Sequence, residues 1–234
     1  QFGDQKGRVM VRGNGQPTYF LPDVAYHKNK WDRGFHRVIN IQGSDHHGTM
    51  ARVLSGVRAL GLPEGFPEYV LHQMVRVERD GQEVKFSKRA GSGVTLRELY
   101  EEVGVDVARY FFQMRKPDAQ LLFDLDIALD HSEKNPVYKV QYAHARMCSI
   151  FAKAGLDPKG IEPGASLELL GHDLERELVK HLGEFPATVE RAAAQASPHV
   201  LCDYPEQTAA AANSWYHSGN PTRNPQLADL ADDP

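Results

Sequence analysis

The hydropathy of this 234-residue chain changes period near Thr95, and that change most limits the folds open to it. Before it, short apolar runs alternate with turn residues and one helical stretch. Val9-Met10-Val11 and Thr18-Tyr19-Phe20 flank Asn14-Gly15, a strong hairpin signal. Arg37-Val38-Ile39-Asn40-Ile41 reads as a strand feeding the loop Gly43-Ser44-Asp45. Val53, Val57 and Leu60 then recur at helical spacing, and Gly61 with Pro63 ends that helix. Tyr69 to Val77 reads as a strand, Asp80-Gly81 as a turn, and Glu83 to Phe86 as its partner. This alternation predicts a mostly parallel sheet with helices.

From Thr95 onward the pattern is helical. Thr95-Leu96-Arg97-Glu98 is a capping box, closed by Gly104, and Asp106 is expected to cap the next helix. Asn135-Pro136 couples a good N-cap to proline at the first helical position, and Gly155 ends that helix. Val137, Val140, His144, Met147 and Phe151 fall on one stripe of it. Leu170, Leu174, Leu178 and Leu182 form a later i,i+4 stripe, and residues 199–217 read as a last helix containing Pro205. The fold class predicted is α/β followed by all-α, the second part a helical bundle.

Charge narrows the function. The net charge is −4, and the halves differ: residues 1–135 hold 19 Lys+Arg against 18 Asp+Glu, the remainder 8 against 13. Any RNA contact in the helical part must come from a few placed residues rather than a broad basic field. With only Cys148 and Cys202, neither a disulfide framework nor a cysteine-based zinc site is expected. Both cysteines are expected in the core, in a reducing, cytoplasmic setting. No apolar run is long enough for a membrane span, and no basic-then-apolar leader opens the chain.

The sharpest chemical feature is Lys85-Phe86-Ser87-Lys88-Arg89 before the Gly-rich Ala90-Gly91-Ser92-Gly93. Two lysines on a mobile loop can stabilise the charge that builds on a leaving pyrophosphate. A solvated basic turn would carry the same residues. Asp45-His46-His47 could equally start a capped helix or bind a metal. Tyr19 and Asp23 stand at i,i+4 spacing, and a carboxylate there suits a guanidinium; a turn tyrosine and a first-turn aspartate would look the same.

Context decides among these readings. Lys85-Phe86-Ser87-Lys88-Arg89, followed by Ala90-Gly91 and Val94-Thr95-Leu96, resembles the second class I synthetase motif in the variant form of arginyl-tRNA synthetases. Thr18-Tyr19-Phe20-Leu21-Pro22-Asp23-Val24-Ala25-Tyr26-His27 and Gly43-Ser44-Asp45-His46-His47-Gly48 are similar to two further blocks of that family. Asn135 to Arg146, with Gln141-Tyr142 and His144-Ala145-Arg146, resembles the opening helix of its anticodon-binding domain. The resemblance covers residues 1 to about 155 and fades after Gly155.

The resemblance implies arginine–tRNA ligase activity: ATP-dependent activation of L-arginine to arginyl-adenylate, then transfer to tRNA(Arg). Lys85, Ser87 and Lys88 would be catalytic, and Gly43, Asp45, His46, His47, Met74, Val75, Lys85 and Lys88 would bind ATP. Tyr19 and Asp23 would bind arginine. Tyr142, Arg146, Trp215 and Arg223 are candidate tRNA contacts, by stacking or pairing with exposed bases. Trp215 and His144 could instead be packing residues. ATP with Mg2+ would enter as substrate; no tightly bound cofactor, resident metal or membrane is implied, and a monomer is expected. The domains implied are 1–92, the second half of a Rossmann-type catalytic domain; 93–133, a helical junction; and 134–234, an anticodon-binding bundle. The family's His-x-Gly-His motif and its closing helices have no counterpart in the sequence, so the chain alone is expected to be inactive and the Leu170–Leu182 stripe partly exposed. A non-catalytic RNA-binding protein, or more distantly a phosphoesterase built on Asp45, His46 and His47, is the alternative.

Overall fold

A computed structural model describes residues 6–84, 95–160 and 170–219. The chain divides into two compact units: residues 1–75 with 117–121, and residues 76–116 with 122–234.

In the first unit, Asn14-Gly15 does form a turn. Gly15 sits at φ 76°, and a single bridge joins Val11 to Pro17. Its expected second strand is absent, because Phe20 opens helix α1 (Phe20–Asp32) instead. Thr18 ends the turn by donating its hydroxyl to the carbonyls of Val9 and Met10. Helix α2 (His47–Ala59) packs on α1. The packing is close because Gly56 has no side chain: a Cβ there would lie 2.5 Å from Val24 Cγ2 and 3.1 Å from the Phe20 ring. Val24, Val53, Val57, Leu62 and Phe66 form the core, with Phe20, Trp31 and Val38 against it. Leu60, expected on the buried stripe, is half exposed. The helix ends there in a Schellman turn, with Gly61 at φ 81° and the Leu62 amide bonded to the Val57 carbonyl, so Leu62 takes the buried place.

Strands β1 (Ile39–Gly43) and β2 (Glu68–His72) pair in parallel, Asn40 opposite Tyr69 and Gly43 opposite His72. Asn40 and Gln42 occupy the covered face of β1; Ile39 and Ile41 alternate with them, and Ile41 is 65% exposed.

In the second unit, β3 (Val75–Arg79) pairs antiparallel with β4 (Gln82–Val84) around Asp80-Gly81. Both turn residues have positive φ, 52° and 69°, as a type I′ hairpin turn requires. The single strand expected from Tyr69 to Val77 is therefore two, broken at Gln73-Met74, where the Gln73 amide bonds the Pro117 carbonyl. A third strand, β5 (Leu121–Asp124), lies beside β3 within the segment that reads as helical. Instead of one mostly parallel sheet, the described residues form a two-stranded and a three-stranded sheet.

Helices α3 (Leu96–Val103) and α4 (Val105–Gln113) follow. The capping box at Thr95 and Glu98 forms as the sequence predicts. Asp106 is not the cap of α4; Gly104 takes that place and Asp106 lies in the first turn. Asp124 caps the short α5 (Leu125–Leu129). Asn135, buried, caps α6 (Pro136–Lys153) through its Oδ1 and donates its Nδ2 to the Ala128 carbonyl. Helices α7 (Asp173–Gly183), α8 (Phe185–Ala194) and α9 (Val200–Ser218) complete the bundle, α9 meeting α6, α7 and α8. Leu170 precedes α7; Leu174 and Leu178 are half-buried and Leu182 is exposed, as the stripe predicts. Cys202 is buried, but Cys148, expected in the core, is exposed on α6 beside the His144 ring.

Candidate functional site

In the first unit, the polar groups gather where the parallel strands end. Gly43 closes β1 and leads through a 3-10 turn, Ser44–His46, into α2. The strand-end geometry expected for Gly43, Asp45, His46 and His47 is thus present, at the position where open α/β sheets take ligands. The space beside the Gly43 backbone is filled by the protein itself: a Cβ there would meet Asp45 Oδ1 at 2.5 Å. The neighbouring strand end comes alongside, with His72 opposite Gly43 and the Ser44 hydroxyl donating to Gln73 Oε1 at 3.3 Å. Met74 follows, 72% exposed, and Val75 begins β3. Asp45 and His46 are exposed and their side chains approach only to 3.9 Å. Among the described residues no three His, Cys, Asp or Glu side chains cluster as metal ligands would.

Tyr19, Asp23 and His27 follow one another at four-residue spacing along α1 and so share a face. Tyr19 is 90% exposed and Asp23 exposed, while His27 is 4% exposed. Under them lies a polar floor that sequence reasoning missed. Asn40 Nδ2 lies 3.4 Å from His27 Nε2, and Tyr69 of β2 stands opposite Asn40 in the sheet register. Burial lowers the His27 pKa, aided by the charge of Lys30 and opposed by Asp23. Burial likewise raises that of Tyr69, and Asp23 adds to the rise. The sequence signal was the third place in the Tyr19–Asp23 row, but Asn40 and Tyr69 are distant in the chain.

Lys85, Ser87 and Lys88 lie outside the described residues, directly after β4, and Arg223 also lies outside them. In the second unit, Tyr142 and Arg146 pair as their spacing predicts, the guanidinium 4.7 Å from the Tyr142 ring centre. The same face meets α9: Arg146 is also 4.7 Å from the Tyr216 ring and bonds Asn213 Oδ1 at 2.7 Å. Tyr142, Arg146, Ser149, Lys153 and Tyr216 line a cleft of about 290 Å³. Trp215 is half-buried on α9. His144 is exposed and lines a larger apolar groove of about 570 Å³ between α6, α8 and α9, which holds no chemistry-bearing cluster.

The bundle with this aromatic and arginine face is similar to known proteins. Residues 140–226 match the family of DALR anticodon binding domains. Over 222 residues, 92% of its length, the chain is 55% identical to the arginine–tRNA ligase of Geobacter metallireducens, and over 218 residues 51% identical to that of Bordetella avium. It spans 39% of the length of each of these relatives. A Campylobacter jejuni structure described as an arginyl-tRNA synthetase superposes with a TM-score of 0.83 at 32% identity, covering 97% of this chain and 50% of that one. The Thermus thermophilus arginyl-tRNA synthetase, 22% identical, shares the fold with a TM-score of 0.68 over 89% of this chain and 42% of that one. The chain is thus similar to one part of arginyl-tRNA synthetases, with the match to the DALR anticodon binding domain family in its second half. Among the described residues no helix is long and apolar enough to cross a membrane.

Proposed function

We propose that this chain supplies the arginine pocket, half of the ATP site and the anticodon-binding bundle of an arginine–tRNA ligase. Residues 1–92 act as the second half of a Rossmann-type catalytic domain, 93–133 as the junction and 134–234 as the tRNA-reading bundle, in the cytoplasm. The observation that carries this reading is 55% identity over 92% of the chain to a protein of that activity.

In the reaction, the carboxylate of L-arginine attacks the α-phosphorus of ATP and pyrophosphate leaves. A terminal ribose hydroxyl of tRNA(Arg) then displaces AMP from arginyl-adenylate. Asp23 receives the guanidinium and Tyr19 covers it. Gly43, Asp45, His46, His47, Met74 and Val75 border the nucleotide. Lys85 and Lys88, with Ser87, stabilise charge on the leaving pyrophosphate, so no protein nucleophile is needed. Magnesium arrives with ATP. Tyr142 and Arg146, with Trp215 and Arg223, face the tRNA; Arg146 already holds two tyrosine rings in a fixed orientation, which suits stacking on an unpaired base.

The test is arginylation and arginine-dependent ATP–pyrophosphate exchange by the full-length protein. Lys88→Ala should lower the rate about a hundredfold or more with the fold intact; an unchanged rate removes the lysine from the mechanism. Asp23→Asn should raise the arginine KM far more than the ATP KM. The match of residues 140–226 to an anticodon binding domain also favours a second reading, tRNA binding without catalysis. Tight tRNA binding with no exchange activity at all would select it.

A further inference from the structure

We propose that His27 is a positioning residue of the arginine subsite: a buried, neutral imidazole that anchors the exposed Tyr19–Asp23 row of α1 to both parallel strands and keeps positive charge away from the guanidinium. The inference rests on the reading of Asp23 as the arginine carboxylate.

The geometry comes first. Tyr19, Asp23 and His27 share a face of α1, and only His27 is buried. Its ring meets Asn40 of β1 at 3.4 Å and the edge of Tyr69 of β2, ring centres 6.4 Å apart. Asn40 and Tyr69 are register partners in the sheet. One chain of contacts, His27–Asn40–Tyr69, therefore ties the helix to both strands, one helical turn beyond Asp23.

Protonation follows from the donors. With Asn40 Nδ2 facing His27 Nε2 at 3.4 Å, a neutral ring protonated on Nδ1 can accept there. Nδ1 is buried with no hydrogen-bond partner among the described residues. A second proton would displace the Asn40 bond and place a cation in the interior, one turn from Asp23. That cation would compete with the guanidinium for the carboxylate. The ionisable groups around the ring are Asp23, Tyr26 and Lys30 on α1 and Tyr69 on β2. From α2, Gly56 packs on Val24 and Phe20 of α1, a contact without charge.

Arginine and ATP KM values of the full-length protein, measured at about pH 7.5 and about pH 6, test this. His27→Ala should raise the arginine KM about tenfold and leave the ATP KM within about twofold. His27→Gln, a neutral acceptor that cannot be protonated, should restore most of the loss. The wild-type arginine KM should rise at the lower pH and that of His27→Gln should not. Equal movement of both KM values, or an unchanged arginine KM in His27→Ala, overturns the inference. If His27→Ala does not fold, the pH response of His27→Gln decides: a wild-type response overturns the proposal. Asp23→Asn separates the two levels. If it leaves the arginine KM unchanged, the arginine reading of Asp23 fails. If it raises that KM while His27→Ala does not, only the role of His27 fails.

Discussion

The Tyr110 hydroxyl of α4 lies 2.8 Å from the carbonyl oxygen of Cys202 and 2.8 Å from Glu206 Oε1, on either side of Pro205 in α9. Proline has no N–H and crowds the carbonyl one turn back, so this stretch of α9 is short of a donor. The carbonyl left without a helical donor is that of Leu201, four residues before Pro205; the Tyr110 hydroxyl meets the next carbonyl and Glu206. That contact spans 92 residues of sequence and ties α4 to the stretch of α9 that holds the proline.

Tyr110→Phe should therefore lower unfolding stability by about 1–3 kcal/mol, because a part-buried hydrogen bond between α4 and α9 is lost while the ring packing stays. Urea unfolding with an unchanged slope would measure it. Burial, with Glu206 adjacent, raises the Tyr110 pKa above its ordinary value of 10.0. The folded state then holds a proton that the unfolded chain releases, so stability falls as pH rises above about 10. Tyr110→Phe should lack that alkaline component, and identical pH profiles would contradict the bond.

Gly56→Ala should destabilise the first unit by about 1–3 kcal/mol through overpacking against Val24 and Phe20. Trimming the neighbour should relieve it. In a Val24→Ala background the added methyl should cost less, and strictly additive effects in a double-mutant cycle would show that the two sites do not touch.

Asn135→Ala removes both a helix cap and the donor to the Ala128 carbonyl, a combined loss of roughly 1–3 kcal/mol. Asn135→Ser keeps a cap acceptor and should recover part of the loss. Thermal unfolding reads the order Asn, Ser, Ala; a serine variant no better than alanine would mean that the cap bond contributes little.

The two thiols should separate chemically. Burial, with Asp203 and Glu206 near, pushes the Cys202 thiol up to about 11, whereas Cys148 is exposed. At about pH 8 a thiol reagent should label Cys148 in the native protein and reach Cys202 only after denaturant is added. Simultaneous native labelling of both would contradict the burial of Cys202.

What the sequence made legible was mostly local. The capping box at Thr95, the Asn135 cap, the Asp80-Gly81 turn and the glycines ending α2 and α6 depend on neighbours within a few residues, and each forms. Phe20 was misread because a hydrophobic residue after a turn suits a strand or a helix equally, and only its packing against Gly56 of α2 selects the helix. Leu121–Asp124 was missed because a four-residue strand is too short to show a period. At the site, the Tyr19–Asp23 row was legible as i,i+4 spacing. Its floor was not, since His27 meets Asn40 and Tyr69 only after β1 and β2 pair. The same holds for Arg146, whose second ring, Tyr216, comes from a helix 70 residues on.

The parallel pair also bears on how the protein behaves in the test tube. One face of β1 carries the exposed Ile39 and Ile41, and a two-stranded sheet has two outer edges. Unpaired backbone beside exposed β-branched side chains is a nucleus for ordered self-association. Ile41→Lys should therefore delay the onset of light scattering in concentrated samples while leaving the unfolding midpoint within a degree or two, roughly the margin of a surface change.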